Sequence, residues 1–553
     1  MLVLWILSML LVASAISMGT WVDSTLPKTE RLLLGIGLLF SVVLFVNFFI
    51  PITGLSSGLI ILLPATILFY SQRHLLNPTS LRILVEKNGL KLLLLSCFAA
   101  AIAYVGSFPT TWYDSLLYHI PAVINITQSP IVSGLALLHI RLASTSLPFV
   151  FSTLQASLPT LSSFNLPSVF FVIMFGLVVF FEKYSQKNQE EFVSTSQLFL
   201  FFSLTFLFIV LKTSLLSTLA PELVLFIWTS LLLYGFLEQR RLLIMLAFFL
   251  GITTKISMVL FFPFALICIL ESLYRTHLFS NQLPSFFSRP RTRIATLLPM
   301  IIWSAYSFVV SGCFLFPIKQ TCMPVQNALS PVQVAEYTDT VYTWARHNPN
   351  QPSIHSETVW FSSMFIRTIP TEIWIILIVA ILLLCILVVV VKRKKAQSTI
   401  MSRETIALVT QVAITIAAYK TAPDFRLLWP LVLSFLALFV AAILSQFQRI
   451  VRIPKIGMYF LQIILFSLAL LASVKEFSPP LRKSQLIYPV ETIYNKAATY
   501  QQRPDAPLPY TTPVYGDDRC GVALFPCVVD PSVLSNYSYS LDESKRLNGV
   551  FHP

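Results

Sequence analysis

Charge is what this chain has least of. Charged residues fill 11% of its 553 positions, where a soluble chain carries about 25%. That scarcity excludes an ordinary water-soluble globular protein. No large soluble domain and no internal repeat stands out. Glycine-rich phosphate cradles of the nucleotide-binding kind are missing, as are zincin and nucleophile-elbow motifs. No histidine stands at metal-ligand spacing. The first apolar run also lacks a basic leader and is long for a cleaved signal, so it is expected to be retained.

What the chain has instead is hydrophobicity. Apolar residues make up 56% of it, and its mean hydropathy is +0.77. Runs long enough to cross a hydrocarbon core of about 30 Å recur from end to end. Backbone groups in lipid must be satisfied internally, so these runs are expected to be helices. About fourteen segments follow from the roughly 20-residue rule. They fall near 1–20, 32–50, 54–71, 90–107, 166–181, 197–211, 215–237, 242–254, 256–271, 294–310, 371–391, 405–420, 427–444 and 456–473. The expected class is an all-α polytopic membrane protein.

Six regions follow. Residues 1–107 hold the first membrane helices, 108–165 a long loop, and 166–310 further helices. Residues 311–370 form a second long loop, 371–473 the last helices, and 474–553 a tail. Lysine and arginine crowd alternate short connections: Arg73 to Lys91, Lys183 and Lys187, Arg240 and Arg241, Arg275 to Arg293, Lys392 to Lys395, and Arg449 to Lys455. The positive-inside rule makes these cytoplasmic. The two long loops and the tail are then external. The +14 net charge mostly records this bias and an attraction to anionic lipid; it does not point to nucleic acid. Four cysteines, Cys313, Cys322, Cys520 and Cys527, fall on the external side. Disulfides suit that compartment. Pairing within loop and tail, or between them, is equally allowed.

Polar residues gather on the same side. "TTWYDSLLYHIPAVI" carries Asp114 and His119 just after a membrane segment. A carboxylate at that depth can be tuned as a general base; Asp114 is equally a good helix N-cap, and His119 a satisfied loop histidine. The runs "SLLYHIPAVINI" and "SGLALLHIRLASTSLPFVFSTL" read as short amphipathic helices lying in the interface. His139 and Arg141 sit in the second run. Arg141 is the single arginine of its long loop, which suggests an anion; snorkelling to headgroups is the alternative. Lys255, in "LGITTKISM", divides 242–271 into halves too short to span. A hairpin with Lys255 at its tip would present an ammonium to a phosphate; one tilted helix is the alternative. Asp424 and Arg426 in "TAPDFRLLWP" either pin a turn or present a guanidinium. Glu222 is a second acid or an ordinary helix start.

The arrangement resembles GT-C glycosyltransferases, which take a sugar from a polyprenyl-phosphate carrier outside the cytoplasmic membrane. "YDSLLYHIPAV", "GLALLHIRLAS", "SGCFLFP", "APDFRLLWP" and "GDDRCGVALFPC" together resemble an uncharacterised bacterial family of GT-C-like multipass proteins. The resemblance implies a GT-C-like helix bundle, a lipid bilayer and a polyprenyl-phosphate-linked sugar as partners, and a loop carboxylate, Asp114, as base or as ligand of a divalent metal. Asp114 is followed by Ser115 rather than a second acid, and the family's "HGR" reads "HIR" here, keeping His139 and Arg141. His119, Lys255, Asp424 and Arg426 would join Arg141 in holding the donor. A lipid-linked glycan polymerase or ligase, or a non-enzymatic flippase or assembly subunit, are the rival readings.

Overall fold

A computed structural model of the chain describes residues 2–71, 93, 95–107, 114–157, 164–185, 193–210, 216, 218–219, 221–267, 269–270, 289–325, 328–346, 403–421 and 425–451, with short stretches at 500–503, 510–513, 540–541 and 547–548. The bundle is all-helical. Its long helices are α1 (Leu2–Val22), α2 (Lys28–Asn47), α3 (Gly54–Ser71) and α4 (Leu95–Gly106). After a run of short helices come α8 (Leu166–Ser185), α9 (Thr195–Val210), α10 (Pro221–Leu237) and α11 (Arg241–Thr254). The chain continues through α12 (Ile256–Ile267), α13 (Pro290–Ser311), α14 (Pro331–Arg346), α15 (Arg403–Thr421) and α16 (Phe425–Val451). The β strands among the described residues form two small antiparallel pairs in the tail, Tyr500–Arg503 with Tyr510–Pro513 and Ser540–Leu541 with Leu547–Asn548, and an isolated antiparallel bridge joins Cys313 and Cys322.

Four helices among the described residues are long and apolar enough to cross a membrane: Leu2–Val22, Lys28–Asn47, Pro290–Ser311 and Leu428–Gln448. Eight shorter apolar helices accompany them. The chain is therefore an all-α membrane protein whose apolar helices suit a lipid bilayer. The expected segments at 371–391 and 456–473 lie outside the described residues.

Small residues set the first contact. A Cβ on Gly35 would overlap the Ala15 carbonyl, and one on Gly19 the Arg31 carbonyl. Backbones approach this closely in lipid because dispersion, not hydrophobic exclusion, holds such helices together. At the α1–α2 turn Asp23 accepts hydrogen bonds from Thr25 and pairs with Arg289 ahead of α13. Beside it Arg240 donates to Glu30 and pairs with Glu182 at 2.6 Å, and Tyr234 donates to Glu182 at 2.8 Å. At the other end of α2, Asn47 donates to the carbonyls of Ile126 and Ser129 and accepts from Tyr306 of α13.

Between α4 and α8 the chain forms a π turn (Ser115–His119), α5 (Ile120–Gln128), α6 (Leu135–Leu138), a 3₁₀ turn (Ile140–Ala143) and α7 (Leu147–Ala156). The expectation of short helices here meets helices, and one of them is enclosed by protein. Every residue of α7 from Leu147 to Gln155 is buried, with α7 packed against α2, α3, α5, α8 and α11. Apolarity alone cannot tell a lipid-facing helix from one enclosed by protein.

Candidate functional site

The break at Lys255 is the simplest element to derive. α11 ends at Thr254, Lys255 is extended, and a 3₁₀ turn opens α12. Phe248 and Phe262 have ring centroids 6.3 Å apart, whereas fourteen residues of straight helix would separate them by about 21 Å. The chain therefore doubles back at Lys255, and a single tilted helix is ruled out. Gly251 makes the turn possible: a Cβ there would lie 2.5 Å from Met258 Cγ. The tip is fastened by Trp228, which donates to the Thr254 hydroxyl at 2.9 Å, and by Ser146, which donates to the Thr254 carbonyl at 2.7 Å.

Lys255 Nζ donates to Glu222 Oε1 at 2.5 Å, with side chains 23% and 13% exposed. Glu222 sits in the first turn of α10 behind Pro221, where backbone N–H groups favour an anion. Its start is therefore both an ordinary helix opening and the partner of Lys255. Four residues upstream, the Thr218 hydroxyl bonds Ser115 Oγ at 2.6 Å, and Ser115 Oγ bonds His119 Nδ1 at 3.2 Å. The four-residue spacing places 115 beside 119, and the turn that carries them is π-helical, a form that recurs at functional sites.

His119 is buried, and its Nε2 has no hydrogen-bond partner among the described residues. Its ring lies 4.3 Å from that of Tyr118 and 4.7 Å from that of Phe149 on α7. Burial pushes the imidazole down to about 3, with Glu222 opposing and Lys255 and Arg141 adding to the shift. It is a neutral histidine. The Tyr118 hydroxyl is held protonated by burial, then by Asp114 and Glu222. These two residues thus feel both ion pairs.

The second pair is Asp114 and Arg141. Arg141 Nη1 lies 3.3 Å from Asp114 Oδ1, both partly exposed, and its guanidinium carbon stands 5.3 Å above the Tyr118 ring. The Asp114 carboxylate makes no capping hydrogen bond to the π turn, so it does not serve as the N-cap the sequence allowed. Arg141 meets a protein carboxylate. His139 and Arg141 line a cleft of about 430 Å³ closed on its far side by Gln333, Glu336, Tyr337 and Thr340 of α14. Glu222 and Lys255 do not line it. Burial raises the Tyr337 hydroxyl, as does Asp114, while Arg141 acts the other way.

α14 went unremarked in the sequence, although "SPVQ" carries its signal. Ser330 N donates to Gln333 Oε1 at 2.9 Å and Gln333 N to Ser330 Oγ at 3.2 Å, a capping box with Pro331 at the first position. The chain reaches α14 through a loop closed by the Cys313–Cys322 disulfide, which sets Phe316 5.4 Å from Tyr337. Of the pairings left open by the sequence, this local one is the pair formed. Cys520, Cys527 and Asp424 lie outside the described residues. Arg426 stands in the first turn of α16, with its side chain also outside them. One turn further, Trp429 packs on Phe226 at 5.7 Å, so the openings of α10 and α16 are neighbours.

Among the described residues no three His, Cys, Asp or Glu side chains stand together to hold a metal. Asp114 and Glu222 each face a cation instead. The described residues do not fit the divalent metal that the resemblance allows.

The chain belongs to the family described as domain of unknown function DUF8201, which matches residues 1–433. The match covers the first loop, both ion pairs and α14. No curated protein and no solved structure matches.

Proposed function

We propose that this protein is a membrane glycosyltransferase of GT-C type, moving a sugar from a polyprenyl-phosphate carrier to a cell-envelope acceptor on the external side. The about fourteen segments and the external position of both long loops and the tail belong to the same proposal, with the basic connections as support. One observation carries the reading. Two carboxylate–cation pairs, Asp114–Arg141 and Glu222–Lys255, are joined through Tyr118 and His119 beside an open cleft and a broken helix.

Each pair has a task. An ammonium at the tip of a half-buried hairpin suits a lipid-linked phosphate, because an intramembrane charge is costly without a counter-charge. Glu222 holds that place until donor enters. The acceptor oxygen attacks the anomeric carbon as the bond from that carbon to the phosphate oxygen breaks. The phosphate leaves with the electron pair, its charge met by Lys255 and by Arg426. The hydroxyl proton passes to Asp114, and one displacement inverts the anomeric centre. No step runs through a metal. His119 stays neutral and positions Ser115 rather than transferring a proton.

The test is Asp114→Asn in cells, read as the envelope-glycan profile against wild type and a deletion strain. The variant should reach the membrane at normal levels and give the profile of the deletion, a rate loss of roughly 100-fold or more. An unchanged wild-type profile would sink the base role. A polymerase or ligase shares this site chemistry and would show as a change in glycan length rather than composition.

A further inference from the structure

The wall of the cleft formed by α14 has no part in the chemistry above. We propose that this cleft is a saccharide subsite that takes a neutral pyranose unit and rejects a phosphate. The inference rests on the glycosyl-transfer reading for its place in a reaction, but not for its binding chemistry.

Gln333, Glu336, Tyr337 and Thr340 recur at helical spacing and line the cleft as one stripe of α14. The stripe mixes an amide, a carboxylate, a hydroxyl and an aromatic ring. Gln333 Oε1 is engaged by the Ser330 N–H, so its amide nitrogen is the group it offers. Glu336 accepts hydrogen bonds from hydroxyls, and Thr340 donates or accepts. Tyr337 supplies an apolar face beside them. A sugar ring carries this same mixture of hydroxyls and C–H faces.

Charge separates sugar from phosphate. The cation in the lining is Arg141, and Asp114 at 3.3 Å already offsets it. Glu336 then adds a carboxylate of its own. Such a lining repels a dianion and suits neutral hydroxyls, whose bonds to charged groups are the stronger kind. The volume of about 430 Å³ falls within the roughly 300–1,000 Å³ of small-molecule sites. The disulfide-closed loop, through Phe316 on Tyr337, holds the wall in place.

The experiment uses the full chain in lipid nanodiscs and saturation-transfer NMR with maltose, N,N′-diacetylchitobiose and inorganic phosphate as probes. At least one disaccharide should receive saturation, and phosphate at equal concentration should not displace it. Glu336→Gln and Thr340→Val lie on the exposed side of α14, so the fold tolerates them. Each should weaken binding roughly tenfold. Absence of binding by both disaccharides, displacement by phosphate, or full binding in the double variant would each overturn the subsite. Transfer is read separately through Asp114→Asn. If transfer survives there while saccharide binding depends on Glu336 and Thr340, the base role falls and the subsite stands.

Discussion

Replacing Lys255 by methionine tests whether the hairpin tip is held by its ion pair. Lys255 Nζ lies 2.5 Å from Glu222 Oε1, with side chains 23% and 13% exposed. Breaking a fully buried pair costs about 3–5 kcal/mol, because one charge is left unpaired. An exposed pair contributes about 0–1 kcal/mol. This pair lies between the two, and Glu222 keeps its favourable place at a helix N-terminus, worth about 0.3–1 kcal/mol. Lys255→Met should therefore cost about 2 kcal/mol, and Glu222→Gln a similar amount. The double variant removes both charges and should cost about 1.5–2 kcal/mol less than the sum. The assay is a double-mutant cycle on unfolding of the full chain in nanodiscs. Additive losses, within about 0.5 kcal/mol, would refute the pairing. A coupled cycle in which Lys255→Met retained full transfer would keep the pair and remove Lys255 from donor binding.

Three other outcomes follow from the same geometry. His119 is buried neutral at about 3, against an ordinary 6.5; the unfolded chain takes up a proton below that value and the folded chain does not, so stability should fall as pH drops from 6.5 towards 3. His119→Phe should flatten that slope in unfolding measured against pH, and an unchanged slope would place the titration elsewhere. Gly251→Ala should cost about 1–3 kcal/mol through overlap with Met258, and Met258→Ala should restore part of it; no rescue would mean the turn closes differently. Non-reducing peptide mapping should recover Cys313 linked to Cys322, and a link from either to the tail would contradict the loop that supports α14.

The helices were legible because lipid imposes a length and a composition, and both can be counted along the chain. The hairpin was legible for a related reason: Lys255 divides a run into halves too short to span. The contacts of the site were not. Asp114 and Arg141 are 27 positions apart and Glu222 and Lys255 33, and no local pattern encodes such pairings. The neutral state of His119 was hidden too, since it depends on burial and on Lys255 and Arg141, groups distant in sequence. The burial of α7 escaped because ten apolar residues look alike in lipid and in protein. α14 was within reach: its capping box is written in four consecutive residues, but low apolarity drew attention away from it.

The ion pairs at the two ends of the bundle differ in how deeply they are buried, and this bears on which end could take a ligand. Arg240 is shared by Glu30 and Glu182, and Glu182 also accepts from Tyr234 and Thr29. Arg240 bridges two carboxylates there, Glu182 has three partners, and both carboxylates are almost fully buried. A ligand could enter only by breaking bonds that it would have to replace one by one. At the other end Lys255 and Glu222 form a single contact at the tip of a hairpin, and Arg141 and Asp114 meet at 3.3 Å beside an open cleft. Exchanging the Glu222 contact of Lys255 for a phosphate oxygen removes one contact and makes another of the same kind. In sequence Arg240 and Lys255 are two cations beside apolar runs. Their surroundings make the first a fastening and leave the second able to trade its carboxylate for a ligand.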